Sequence, residues 1–389
     1  MKKNLFMVAA VALMALVSCS KENFNDNTIQ SEASDIVFSA ELEQPAGEPV
    51  AEPAEIQSKT SLGTAVNGVR PVSWVKDDQI KINGVTFKAA SAGSRTDFTP
   101  TGSFNTVATY YAVYPATATS KADHSAITIP ASQDGSFAKA AISVAKSTTT
   151  SLSFKNVASI IKFQVPAACS TVTISSSANL AGTFPVTFGS DGLPVVGTVS
   201  SASKTITLTG SFKTGTDYYV AVLPGSHKFT VRLNGYLSKA STKAVSTTRA
   251  NIANLQKLPE LEKFEWGIVG QHQGWDITKP TPMYKVQEKL YAVLNVKLQS
   301  NGFKFAKHGL SNWDTANTSF GAWKEFSQPY VVTDWYQVYT NNLGDQNKNL
   351  GVADWNKAYD VYIYVVTSAN WGKELKYKVV ETGTSITLP

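Results

Sequence analysis

Short runs of alternating apolar and polar residues fill most of the chain, broken by clusters of Gly, Pro, Ser and Asn. Ile36-Val-Phe-Ser-Ala40, Ile80-Lys-Ile-Asn83, Tyr110-Tyr-Ala-Val-Tyr114, Ile160-Ile-Lys-Phe-Gln-Val165, Thr205-Ile-Thr-Leu-Thr209, Tyr218-Tyr-Val-Ala-Val-Leu223 and Phe229-Thr-Val-Arg-Leu233 are typical. Period two, with Val, Ile, Thr and Tyr dominating, predicts strands. No long stretch repeats at the helical period. The expectation is an all-β protein built from sandwiches.

Composition divides this pattern. Seven of the eight tryptophans follow Pro259-Glu-Leu-Glu-Lys263, and only Trp74 precedes it. One domain is therefore expected over 264–389. A softer break at Pro166-Ala-Ala168 divides the rest into sandwiches over 36–166 and 167–260.

The start of the chain has another character. Lys2 and Lys3 precede an apolar run from Leu5 to Val17, too short to span a bilayer, which needs about 20 residues. It suits the apolar region of a signal peptide covering 1–18. Leu16-Val17-Ser18-Cys19 resembles the lipobox of bacterial lipoproteins. That resemblance implies cleavage before Cys19, its acylation with palmitate-type chains, and attachment to the outer membrane. Residues 19–35 are polar and aperiodic, a flexible tether. Lys21-Glu22 weakly resembles a surface-export signal, so a surface-exposed protein is expected. The only other cysteine is Cys169, which leaves no intrachain disulfide once Cys19 is acylated. The formal charge is +6, its lysines are scattered, and no basic stretch interleaved with aromatics suggests nucleic acid as a partner.

Over about 36–258 the chain resembles the fimbrillin-like proteins of a Gram-negative phylum of gut and oral anaerobes. The resemblance is carried by Lys59-Thr-Ser-Leu62, Val72-Ser-Trp-Val-Lys-Asp-Asp78, Tyr111-Ala-Val-Tyr-Pro115, Ile129-Pro130 with Gln133, Phe154-Lys-Asn-Val157, Leu180-Ala-Gly182, Tyr218-Tyr-Val-Ala-Val-Leu-Pro224 and Arg249-Ala-Asn-Ile252. It implies two transthyretin-like sandwiches and a role in pili, where removal of a first strand opens a groove for a strand of the next subunit. Two departures favour an anchor or tip over a stalk subunit. No arginine precedes Arg70, and the chain continues past the second sandwich. The aromatics of these motifs read as core, and Asp77-Asp78 as a turn.

From Phe264, Trp266-Gly-Ile-Val-Gly270, Gly274-Trp275, Tyr291-Ala-Val-Leu-Asn-Val296, Gly302-Phe-Lys-Phe-Ala306 and Tyr359-Asp-Val-Tyr-Ile-Tyr364 resemble a β-sandwich module of starch-binding outer-membrane lipoproteins. The resemblance implies an immunoglobulin-like, carbohydrate-binding fold. Gln271-His-Gln273 stands where that family carries an acidic-aromatic turn, so starch itself is not implied.

An indole stacks on the C–H face of a sugar while polar neighbours bond its hydroxyls. Trp275, Trp313, Trp323, Trp355 and Trp371 lie among Gly, Asp, Asn and Lys and are the glycan-binding candidates, although plain packing is the commoner role for any one of them. Lys304 alternates with Phe303 and Phe305 and should face outward as a donor. Trp266 and Trp335 lie in strand-like runs and should be buried. The four histidines lack zinc spacing, and no G-x-S-x-G elbow or phosphate-cradling glycine loop occurs. Asp276, Asp314, Asp334, Asp345, Asp354 and Asp360 read as turn formers rather than a hydrolytic pair. No cofactor, metal or catalysis is expected. The expected function is a surface lipoprotein that binds a glycan or polysaccharide as an adhesin. Two alternatives stand beside it: a fimbrial anchor or tip subunit working by donor-strand exchange, and a scaffold in an outer-membrane uptake complex.

Overall fold

The computed structural model describes residues 36–45, 61–62, 71–300, 302–311, 319–320, 332–338, 349–352, 354–368 and 372–389. The protein is all-β, with one four-residue helix, Phe137–Ala140, and two 3-10 turns among these residues.

Seven strands close a barrel in the order Phe38–Leu42, Ser151–Asn156, Ser143–Ser147, Tyr110–Tyr114, Gln79–Ile82, Val85–Ala89 and Arg95–Pro100. The first strand completes it, parallel to Ser151–Asn156 and antiparallel to Arg95–Pro100. Closure removes the sheet edges that an open sandwich would leave unpaired. Period-two alternation fills the interior: Phe38, Ala40, Ile80, Ile82, Phe87 and Phe98 are wholly buried. Trp74 sits at the centre, edge-on to Phe98, Tyr114 and Phe154, and its indole N–H donates to the Ala40 carbonyl at 2.9 Å. The turn expected at Asp77-Asp78 is present. Asp77 takes φ 68°, and Asp78, itself buried, accepts the Val75 N–H at 2.8 Å.

The second unit is a set of small sheets. Five strands pair in the order Tyr236–Ala240, Thr230–Leu233, Cys169–Ser175, Thr205–Phe212 and Ser132–Gln133. Ser159–Gln164 lies between Tyr218–Val222 and Ile252–Lys257, and Ala181–Phe184 between Ile127–Ile129 and Ser200–Ser203. The division expected near Pro166 therefore does not separate the sheets. Strands at 127–133 and 159–164 pair with strands beyond 168, and one continuous apolar core runs from Phe38 to Leu258. Alternation assigns each residue to a face of its strand but says nothing of which strand lies beside it. Within this unit Lys162 Nζ lies 3.1 Å from Asp217 Oδ2, both side chains buried, and the Gln164 amide donates to Asp217 Oδ1 at 2.8 Å.

A separate apolar core begins at Phe264. Eight strands form its sheet in the order Ser319–Phe320, Phe303–Lys307, Lys263–Gly270, Thr281–Gln287, Leu290–Val296, Tyr359–Ser368, Gly372–Glu381 and Val332–Val338. The sheet curls on itself. The rings of Phe305 and Tyr377 meet at 5.6 Å across the core although four strands separate theirs.

Candidate functional site

Antiparallel pairing gathers the candidate side chains at one end of the curled sheet. Gly270 is opposite Phe303, Phe303 bridges to Leu350, and Tyr359 is opposite both Val296 and Glu381. The 271–280 loop, the start of the Phe303 strand and the 354–358 turn consequently share that end.

Trp275 follows Gly274 in a left-handed turn, at φ 59° and 75° respectively, and its N–H donates to the Gly270 carbonyl at 2.9 Å. Glutamine staples the loop. Gln273 accepts the Asp276 N–H at 2.7 Å and donates to the Asp276 carbonyl at 2.8 Å, while Asp276 Oδ1 accepts from the Thr278 hydroxyl and N–H. These Thr278 bonds hold the Asp276 carboxyl below its ordinary range. Trp275 is half-buried, packed on Val269, Ile277 and Ala306. Lys304 stands opposite Val269 in register and so shares that face, outside the core that takes Phe303 and Phe305. It too is half-buried.

Trp355 is 40% exposed, the most open tryptophan among the described residues. Its turn is hydrogen-bonded. Asp354 Oδ1 accepts the Asn356 N–H at 3.0 Å, the Asp354 carbonyl accepts the Tyr359 hydroxyl at 3.0 Å, and Lys357 pairs with Glu381 at 2.7 Å. An open indole beside lysine, asparagine and aspartate can stack on a flat apolar face and bond hydroxyls around it. Trp313, Trp323 and Trp371, like Cys19, lie outside the described residues.

Trp266 is buried as expected, with the Lys307 ammonium 5.1 Å from its ring. Trp335 is only half-buried, and its N–H donates to the Thr387 carbonyl at 2.7 Å. Asp360 is buried and accepts from Asn295 N–H and the Thr382 hydroxyl, and Asp276 and Asp354 cap turns. Burial lowers the pKa of His272, whose Nε2 lies 3.0 Å from the Thr281 hydroxyl. Among the described residues no group of three or more His, Cys, Asp or Glu could hold a metal, and no helix is long and apolar enough to cross a membrane.

Two features escaped the sequence reading. Tyr336 is 37% exposed on its strand, where alternation alone could not tell rim from core. A cavity of about 560 Å³ opens in the second unit, lined among others by Val157, Asn179, Val196, Leu223, Ser226 and Arg249.

No family model matches the chain, and no curated protein matches it. Among solved structures, a "putative cell adhesion protein" from Bacteroides ovatus overlaps 47% of this chain and 83% of its own, with 16% sequence identity and a TM-score of 0.30. Similarity that loose carries no argument about fold or function.

Proposed function

We propose that this protein is a non-catalytic surface lipoprotein, anchored in the outer membrane through acylated Cys19, whose last sheet binds glycan as an adhesin. The observation that carries the reading is Trp355, an indole open to water on a hydrogen-bonded turn at the sheet end shared by Trp275 and Lys304. By analogy with base stacking, one such platform is worth about 1–3 kcal/mol. Binding would be weak per site and useful when many copies meet a polymer.

The test is the full chain on a glycan array. Binding is expected, with Trp355→Ala weakening it by about 5- to 150-fold, the range that loss of one platform spans. No glycan retained, or Trp355→Ala binding as well as the parent, overturns the reading. For the anchor, palmitate labelling should disappear in Cys19→Ala, and labelling that persists would remove the lipoprotein assignment.

A second reading has its own support. The Phe38–Leu42 strand lies in a seam of the barrel, parallel to one neighbour, as an inserted strand would. Exchange of that strand between fimbrial subunits would make the protein an anchor or tip component.

A further inference from the structure

The seam holding Phe38–Leu42 is lined for a particular side-chain pattern. Phe38, Ala40 and Leu42 are buried inward, and the Ala40 carbonyl accepts the N–H of the central Trp74. Backbone pairing to Arg95–Pro100 and Ser151–Asn156 would accept any extended segment. It would also accept this strand slipped by two residues, since such a slip keeps every side chain on its face.

What fixes the register lies one residue beyond the strand. Glu43 Oε2 accepts the Asn156 N–H at 2.8 Å, and Arg249 Nη1 donates to both Glu43 oxygens, at 2.8 and 3.0 Å. Arg249 also donates to the Asn156 carbonyl at 3.4 Å. It comes from the turn before Ile252–Lys257, in the second unit. The carboxylate that follows this strand is thus held by a guanidinium outside the barrel. A slip that moved Glu41 into this place would put Phe38 where the wholly buried Ala40 sits, and the added volume would strain the packed interior.

We propose that the seam selects its strand by two features three residues apart, a small residue at the wholly buried position of Ala40 and a carboxylate on Arg249. Its partner, on the strand-exchange reading on which this inference rests, is an extended segment of another chain with an aromatic, a small and a leucine-like residue at alternate positions, followed at once by Glu or Asp. Arg249 is the reader of that carboxylate.

The test uses the full chain. In Glu43→Gln, amide exchange across 38–42 should quicken by about tenfold or more, the scale of a lost charge-assisted bond, while 79–89 keeps its rate. Labelled peptides of residues 36–45 are then added to this variant. The parent peptide should bind, and its Glu43→Gln and Ala40→Leu versions should bind at least about tenfold more weakly. A chain carrying Arg249→Met as well should no longer distinguish Glu from Gln. Unchanged exchange at 38–42 overturns the register lock. Equal binding of the Glu and Gln peptides to a chain with Arg249 overturns selection. No binding by any peptide, despite a loosened strand, overturns the strand-exchange reading and the proposal with it.

Discussion

Trp74 is the residue on which the barrel is packed. Its ring makes three edge-on aromatic contacts, each worth about 0.5–1.5 kcal/mol beyond area burial, and a buried hydrogen bond to the strand that closes the barrel. Trp74→Ala should cost about 3–5 kcal/mol in urea unfolding, if the chain still folds. Trp355→Ala, at an open turn, should change stability by no more than about 0.5 kcal/mol. His124 supplies a pH prediction. It is buried between the rings of Tyr111 and Phe188, and burial lowers its pKa from 6.5, against the raising effects of its bond to the Ala112 carbonyl and of Asp123. The unfolded chain therefore binds this proton more readily than the folded one. Stability is full above pH 6.5 and falls as pH drops toward the lowered folded value, with a slope of at most about 1.4 kcal/mol per pH unit from this group. Urea midpoints measured from pH 7 to 5 should decline, and His124→Gln should flatten the decline.

Among elements, the edge strand Tyr218–Val222 shows how a side chain can stand in for a missing strand. Gln133 accepts the Ala221 N–H at 2.9 Å and donates to the Ala221 carbonyl at 2.9 Å, satisfying backbone groups that an edge leaves open. Gln133→Ala should cost about 1–3 kcal/mol and speed amide exchange at Ala221. The sequence flagged Gln133 only as part of a resemblance, because its partner lies 88 positions away. Two hairpins follow local turn chemistry. Asn83-Gly84 and Asn234-Gly235 take positive φ at both positions, the requirement of the tight turn that joins Gln79–Ile82 to Val85–Ala89 and Thr230–Leu233 to Tyr236–Ala240. Alternation likewise placed Phe303 and Phe305 in the core and Lys304 on the opposite face.

At the scale of the whole molecule, the last sheet is docked on the second unit. The Tyr236 hydroxyl accepts the Leu294 N–H at 2.9 Å, its ring meets Tyr284 at 5.3 Å, and Arg232 donates to the Val286 carbonyl. Gly235 approaches so closely that a Cβ there would lie 2.8 Å from Leu294 Cδ1. These contacts join the last sheet, and with it the candidate glycan end, to the second unit. Arg232→Ala with Tyr236→Ala should free it, seen as a larger radius of gyration in solution scattering and separate melting of the last sheet. One compact scattering profile shared with the parent would show the joint to be held elsewhere.

Local pattern was enough to establish an all-β chain, the strand faces, the turn at Asp77-Asp78 and the compositional change near Pro259. These follow from alternation, turn chemistry and residue usage, all properties of neighbours in the chain. Strand partners, barrel closure, the pairing of 127–133 and 159–164 with later strands, and the meeting of Glu43 with Arg249 across 206 positions were decided by tertiary structure alone. A strand's edges offer the same N–H and C=O groups to every candidate neighbour, so only the packing of the whole chain chooses between them.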